Sequence, residues 1–259
     1  MNKDIMYHIG LSTEDIKDAK YAILPGDPGR VSYIASKLNN NEPLKVSREY
    51  TSYLGEINNE KVLVISTGMG GPSTAICLEE LAKIGIKYVI RVGTCGGMQL
   101  NVMPGDLIIA NGAIRYDGTS KEYAPVEYPA ISSFNVTNAL VLAAKELGFK
   151  KHIGVVQSKD SFYGQHEPDK MPISYELNEK WQAWIKMGCL ASEMETSTLF
   201  TVSSFLHLEA GSILTVIWNQ ERAKKGLDQD TNFSVDKEID VAIKAIEILI
   251  NNLGGKNGK

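Results

Sequence analysis

The stretch "YAILPGDPGR", residues 21–30, runs from strand-forming residues into a Pro-Gly-Asp-Pro-Gly-Arg corner, and a helical pattern, "VSYIASKL" (31–38), follows directly. A strand that turns into a helix through glycines gathers free backbone N–H groups, a helix N-terminus and the guanidinium of Arg30 in one place. Phosphate or another anion suits such a corner. A plain strand-to-helix turn suits the same residues, with Asp27 as the cap and Pro28 at the first helical position. The corner alone leaves both readings open.

Outward from it, short β-rich runs alternate with helical ones. "KVLVIS" (61–66), "YVIRVGT" (88–94), "DLIIANGAI" (106–114), "HIGVVQS" (152–158) and "GSILTVIW" (211–218) read as strands, several of them continuous apolar runs of the kind buried on both faces. "STAICLEELAKIG" (73–85), "TNALVLAAKELG" (137–148), "METSTLFTVSSFLHL" (194–208) and "KEIDVAIKAIEILINNL" (237–253) read as helices, the last with Ile239, Ile243, Ile246 and Ile250 in one stripe. This alternation predicts an α/β layered fold with a largely parallel central sheet. No repeat or linker divides the chain, so residues 1–259 are expected to form a single domain, with 254–259 a loose tail.

Composition narrows the function. At 259 residues and 43% hydrophobic side chains, the chain is long enough for one large core. A formal net charge of -4 gives no global basic field, so neither nucleic acid nor a membrane surface is an expected partner, and any anion site must be built locally. Cys77, Cys95 and Cys189 are isolated, without the pairing of a zinc site or a disulfide framework, and fit a reducing cytoplasm as small buried filler. The N-terminus lacks the apolar core of a signal peptide, and no long uncharged apolar run is present.

Further polar residues gather at strand ends. "STGMGGPST" (66–74) half-resembles a dinucleotide fingerprint, but it lacks the final glycine, and the next strand carries Arg91 where a ribose-binding acid would stand. It does supply a second strand-to-helix corner at the same carboxyl edge, where open α/β sheets place ligands. Arg91 lies between Ile90 and Val92, a costly place for a charge unless it is paired, and Thr94 follows at the strand end. "SREYTSY" adds Arg48 and Glu49, "SFYGQHE" an aromatic and an amide, and "ASEMETST" the acids Glu193 and Glu195, which a solvated helix start would also explain.

"GDPGR", "SREYTSY", "STGMGGPS", "RVGTCGG", "EYAPVEYPA", "DSFYGQ" and "SEMET" occur in the order and approximate spacing of the hexameric-type nucleoside phosphorylases, and the chain most closely resembles their bacterial uridine-cleaving branch. The resemblance spans nearly the whole chain. It implies a three-layer α/β/α domain around a central mixed, partly barrel-like sheet, and a homohexamer built as a trimer of dimers. The implied reaction is reversible phosphorolysis of uridine to uracil and ribose 1-phosphate in pyrimidine salvage, in the cytoplasm, with phosphate as co-substrate and no required cofactor. By the same resemblance, phosphate is held by the Gly26 backbone, Arg30, Arg91 and Thr94, with Arg48 reaching over from a neighbouring subunit. The ribose is held by Glu195, with Met194 against the sugar, Glu193 beside them and His8 of the neighbour near the 5′-hydroxyl. The base stacks on Phe162 and bonds Gln165. Arg91, Thr94, Gln165 and Glu195 are the implied catalytic residues. Glu49, Met69 through its carbonyl, and Ser73 match positions that bind a monovalent cation such as K+ in some relatives.

One departure stands out. Uridine-cleaving relatives commonly read F-Y-x-G-Q-x-R, whereas this chain reads "FYGQHEPDK" and has lost the arginine that donates to a uracil carbonyl. Arg222, in "WNQER", and a protonated His166 are the substitutes the sequence offers. A purine phosphorylase would carry an aspartate where Trp218 stands, a hydrolytic nucleosidase would not need Arg30, Arg48 and Arg91 together, and a non-catalytic nucleoside-binding protein would leave the phosphate cluster unexplained.

Overall fold

The computed structural model describes residues 5–230, 232–234 and 236–254. Among them run ten strands: β1 (Tyr21–Pro25), β2 (Asn39–Ser47), β3 (Tyr50–Ile57), β4 (Glu60–Ile65), β5 (Tyr88–Gly97), β6 (Leu107–Tyr116), β7 (Ala130–Ile131), β8 (Lys151–Lys159), β9 (Ala191–Glu193) and β10 (Glu209–Asn219). The α-helices are α1 (Val31–Ser36), α2 (Gly71–Ile84), α3 (Thr119–Tyr123), α4 (Phe134–Glu146), α5 (Phe162–His166), α6 (Ser174–Lys186), α7 (Thr196–Phe205), α8 (Gln220–Lys224) and α9 (Lys237–Gly254).

All five residues of β1 are buried, and the strand lies parallel between β4 and β5. A strand hidden on both faces needs a helical layer on each side. Ala22 and Leu24 point into one core with Leu78 and Leu81 of α2 and Leu199 and Phe200 of α7. Ile23 points the other way, toward Ile34 of α1, Leu140 of α4 and Ile246 of α9. Ile239 and Ile246 of the predicted isoleucine stripe are buried in this second core, with Ile243 and Ile250 packed against it.

The sheet order is β10-β6-β8-β9-β5-β1-β4-β3-β2, and β10 also pairs with β5. Five strands therefore close into a barrel, from which β1, β4, β3 and β2 extend as an open wing. Parallel and antiparallel pairs mix around the ring. The expected three-layer architecture with a mixed, partly barrel-like sheet is what the chain adopts. Because β1, β4, β5 and β10 are mutually parallel, their carboxyl ends share one edge.

Several elements differ from the sequence reading. The β2–β3 hairpin is absent from it because β2 is an edge strand, exposed along most of its length, with two register shifts and no apolar alternation. Helix α6 buries only Trp181, so its apolar stripe is thin. Helix α7 starts at Thr196, leaving Glu193 in β9 and Met194 in the turn between. Gly254 closes α9, and the remainder of the expected tail, 255–259, lies outside the described residues.

Packing across the layers is tight where β10 passes under α4. A methyl group at Gly211 would lie 2.6 Å from Val136 Cγ1 and 3.0 Å from Leu140 Cδ1. Gly211→Ala is therefore expected to destabilise the fold by about 1–3 kcal/mol through overpacking, a loss of roughly 2–10 °C in Tm. Adding Leu140→Ala should return part of that loss; strict additivity of the two variants would show that α4 does not press on Gly211.

Candidate active site

The corner after β1 closes as a 3-10 turn at Pro28–Arg30, with Asp27 as its cap accepting from the Gly29 N–H at 2.8 Å. The second glycine corner lies against it. The Thr67 N–H donates to the Pro25 carbonyl at 2.9 Å. A methyl group at Gly26 would stand 3.3 Å from the Gly68 carbonyl oxygen and 3.9 Å from Arg91 Nη1. A side chain at Gly26 would press on the second corner at Gly68.

Arg91 is 5% exposed and is held by two carboxylates. Its Nε donates to Glu193 at 3.2 Å, and its Nη2 donates to Glu195. Burial alone would lower the Arg91 pKa, but the charges of Glu195 and Glu193 outweigh it, and the net direction is upward. Glu193 also accepts from the Ser158 hydroxyl and from the N–H groups of Glu195 and Thr196 at 2.9 and 3.0 Å. It is thus the buried N-terminal anchor of α7, not a solvated helix start. Glu195 accepts the Gly70 N–H at 2.7 Å with its other oxygen. Burial, reinforced by the neighbouring charge of Glu193, holds the Glu195 carboxyl above its ordinary value.

Other predicted residues sit around this cluster. Thr94 is exposed in the last half of β5, which continues to Gly97, and is in register with Thr215 of β10. Arg30 ion-pairs with Glu238, which is fully buried at the start of α9 and also accepts from the Thr215 hydroxyl. Met194 is half-buried between the two acids. Glu49 packs on Gly68, and the Ser73 hydroxyl donates to the Met69 carbonyl at 3.2 Å, so the three oxygen-bearing positions are neighbours. A carboxylate, a carbonyl and a hydroxyl are hard donors that suit an alkali cation.

His8 and Arg48 form a separate group. Glu80 of α2 accepts from the His8 and Ile9 N–H groups and lies 2.7 Å from His8 Nδ1. The Ser47 hydroxyl donates to the His8 carbonyl, and Arg48 lies over the Tyr7 ring at 5.5 Å.

The residues expected at a base lie around α5 and the end of β10. The Phe162 and His166 rings are 4.3 Å apart, and His166 continues to Trp218 at 5.9 Å. A β-bulge in β10 between Val216 and Trp218 turns Trp218 toward this row. Gln165 accepts from the Ser192 hydroxyl and borders a small cleft, open to solvent, whose walls include Tyr116, Gln157, Lys159, Trp181 and Gln220.

Arg222 and His166, the substitutes the sequence offers for the missing arginine, lie in α8 and α5. Arg222 donates to the carbonyls of Leu100 at 2.8 Å and Asp228 at 3.0 Å, which commits its guanidinium to the loops around α8. Burial and the nearby Lys159 charge lower the His166 pKa, so the ring is neutral at neutral pH. Sequence reasoning passed over Glu238 and Lys159; the only signal for Lys159 was a lysine ending an apolar strand just before "DSFYGQ".

The barrel edge thus carries a buried arginine between two acids, where two glycine corners meet beside a largely apolar cleft. The chain belongs to the phosphorylase superfamily, whose family model matches residues 20–252. It is 48% identical over 247 residues to the uridine phosphorylase of Treponema pallidum, covering 95% of each chain. It is 40% identical to that of Haemophilus influenzae, covering 95% of this chain and 99% of the relative. A guanosine phosphorylase of Halorubrum lacusprofundi is 37% identical, covering 89% of this chain and 91% of the relative.

Asp117, at the end of β6, ties α7 in place. It accepts from the Ser197 and Thr198 hydroxyls and from the N–H and hydroxyl of Ser120. Burial alone would raise its pKa, but the hydrogen bonds from Ser197, Ser120 and Thr198 hold it below the ordinary value. A depressed folded pKa stabilises the protein above the unfolded value of about 4 and is lost as pH falls through the folded value. Urea unfolding should therefore show wild type about 1–3 kcal/mol more stable than Asp117→Asn at pH 7, with the gap narrowing below pH ~4. A gap independent of pH would show that the Asp117 charge does not hold α7.

Proposed function

We propose that the protein cleaves uridine with inorganic phosphate to uracil and ribose 1-phosphate, as a pentosyltransferase of pyrimidine salvage in the cytoplasm. The observation that carries this reading is Arg91, buried between Glu193 and Glu195 at the meeting of the two glycine corners, in a chain 40–48% identical to uridine phosphorylases. Phosphate enters against Gly26, Arg30, Arg91 and Thr94 and competes with Glu195 for the Arg91 guanidinium. Glu195, released on one side, accepts from the ribose hydroxyls, with Met194 against the sugar. Two guanidiniums in place, each able to bind two phosphate oxygens, position the nucleophile below C1′ while uracil departs from the opposite face. Positive charge develops on the ribose and negative charge on uracil, so fixed dipoles aimed at each lower the barrier. Phe162 and Gln165 receive the base, and no acid stands at Trp218 to protonate a purine.

The whole chain acts as one such domain in a trimer of dimers, and His8 and Arg48 complete the site of the neighbouring subunit. A monovalent cation at Glu49, Met69 and Ser73 belongs to the same interface. The three free cysteines, whose burial pushes their thiol pKa values up, suit a reducing compartment.

Uridine cleavage is expected to require phosphate and to yield ribose 1-phosphate; equal rates in phosphate-free buffer would make the enzyme a hydrolase. Arg48→Ala and Glu195→Ala should each lose roughly 30- to 1000-fold in rate, the worth of ~2–4 kcal/mol of transition-state stabilisation. Dissociated and remixed, the two variants should recover about a quarter of wild-type activity, because random pairing makes half the dimers mixed and each mixed dimer holds one intact site of two. Mixed dimers confirmed by mass spectrometry that stay inactive would place Arg48 in its own chain's site.

A further inference from the structure

Glu238, in the first turn of α9, is fully buried. Its two carboxylate oxygens are divided between two residues: one accepts from Arg30 Nη2, the other from the Thr215 hydroxyl. Arg30 closes the first glycine corner with its side chain 20% exposed. Thr215, in the middle of β10, is in register with the exposed Thr94 of β5. Glu238 therefore stands behind Arg30 and behind the strand pair that carries Thr94, two of the groups proposed to hold phosphate.

The fold alone does not call for a charge at this place. Neutral groups of the same shape often serve a buried ion pair's position equally well. A glutamine would meet both partners, its carbonyl accepting from Arg30 and its amide donating to the Thr215 hydroxyl, which accepts as well as donates. Burial raises the Glu238 pKa, with the Thr215 hydroxyl and the Arg30 charge pulling the other way. What the carboxylate adds over the amide is a negative charge set against one of the cations that an incoming phosphate must use.

We propose that Glu238 sets the phosphate affinity of the site: it is a fixed internal anion that shares the Arg30 guanidinium with phosphate and weakens the grip on it. This rests on the reading of the site as a phosphorylase. Glu195 also yields part of a guanidinium when phosphate enters, but it turns to the ribose, whereas Glu238 is tied to β10 through Thr215 and stays. In the reaction a phosphate oxygen forms the bond to C1′ while the electron pair of the C1′–N1 bond leaves with uracil, so negative charge moves away from phosphate. Repulsion from Glu238 therefore falls on the bound phosphate more than on the transition state. Loosening the ground state in this way raises turnover without a contact to any substrate.

The test compares wild type with Glu238→Gln at pH ~8, well above the ordinary carboxylate range. Glu238→Gln should lower the KM for phosphate and the inhibition constant of sulfate about tenfold each, with kcat falling alongside and the KM for uridine within roughly twofold of wild type. Sulfate carries the charge and shape of phosphate, so its inhibition reads binding apart from the reaction. A carboxylate that only holds Arg30 in place would leave both constants unchanged or raise them, and either result overturns the proposal while the phosphorylase reading stands. Should Glu238→Gln fail to fold, the double variant Arg30→Gln with Glu238→Gln decides, because it leaves neither charge unpaired. Its phosphate affinity by calorimetry should fall less than about tenfold, since Glu238 already offsets the cation that is lost, and a larger loss overturns the proposal. Wild type that neither binds phosphate nor needs it to cleave uridine overturns the phosphorylase reading and the proposal with it.

Discussion

A guanidinium inside an apolar strand organises this molecule. Arg91 alternates with residues that build the two cores, so β5 cannot turn it out to solvent without exposing Val89 and Cys95 or Ile90 and Val92. Its charge must be met where it lies, and the carboxylates that meet it come from a short strand and turn about a hundred residues later. Removing one partner of a buried pair typically costs 3–5 kcal/mol, so the place of Glu193 and Glu195, and with them the start of α7, is fixed by this contact. Glu195 extends the constraint to the glycine corner through Gly70. One cation thereby sets the relative positions of β4, β5, β9 and two helix N-termini.

The arrangement is balanced rather than merely paired. Two buried acids, Glu193 and Glu195, face two buried cations, Arg91 and Lys159, and neither pair could be stripped away without leaving uncompensated charge in a dry interior. Such a cluster stores positive potential close to a surface cleft while remaining neutral as a whole. Groups held in this way are oriented in advance, so little reorganisation is needed when charge changes beside them. The Arg30–Glu238 pair repeats the principle on the other side of the barrel edge, where a fully buried carboxylate keeps a corner arginine in place.

What could be read in the sequence followed from local pattern. β1, β4, β5, β6, β8 and β10 are apolar runs or nearly so, and burial on both faces leaves that mark in composition. β2 leaves none, since an exposed edge strand such as "NNNEPLKVS" gains its structure from pairing with β3 alone. At the site, Arg91 was legible because a charge contradicts its apolar neighbours, and Glu193 and Glu195 because two acids flank a methionine. Glu238 was not, because an acid in the first turn of a helix is ordinary and only the fold brings it to Arg30. Lys159 was silent for a related reason: a lysine at a strand end is most often solvated, and its burial arises from α5, β9 and the Phe162 ring closing over it.

The hairpin tip carries the remaining constraint. Ser47 pairs with Tyr50 across a turn of Arg48 and Glu49, and Arg48 has φ +54°, a conformation that favours glycine. A bulky residue held there costs on the order of 1–2 kcal/mol, and strain of this kind gathers where a side chain must point in one direction. That direction is toward Tyr7, with His8 joined to the same tip through Ser47 and clamped from below by Glu80. Arg48 and His8 are therefore one rigid piece. Among the described residues, the hydrogen bonds and ring contacts of this piece run to Tyr7, Ser47 and Glu80, and none reaches Arg91, Glu193 or Glu195.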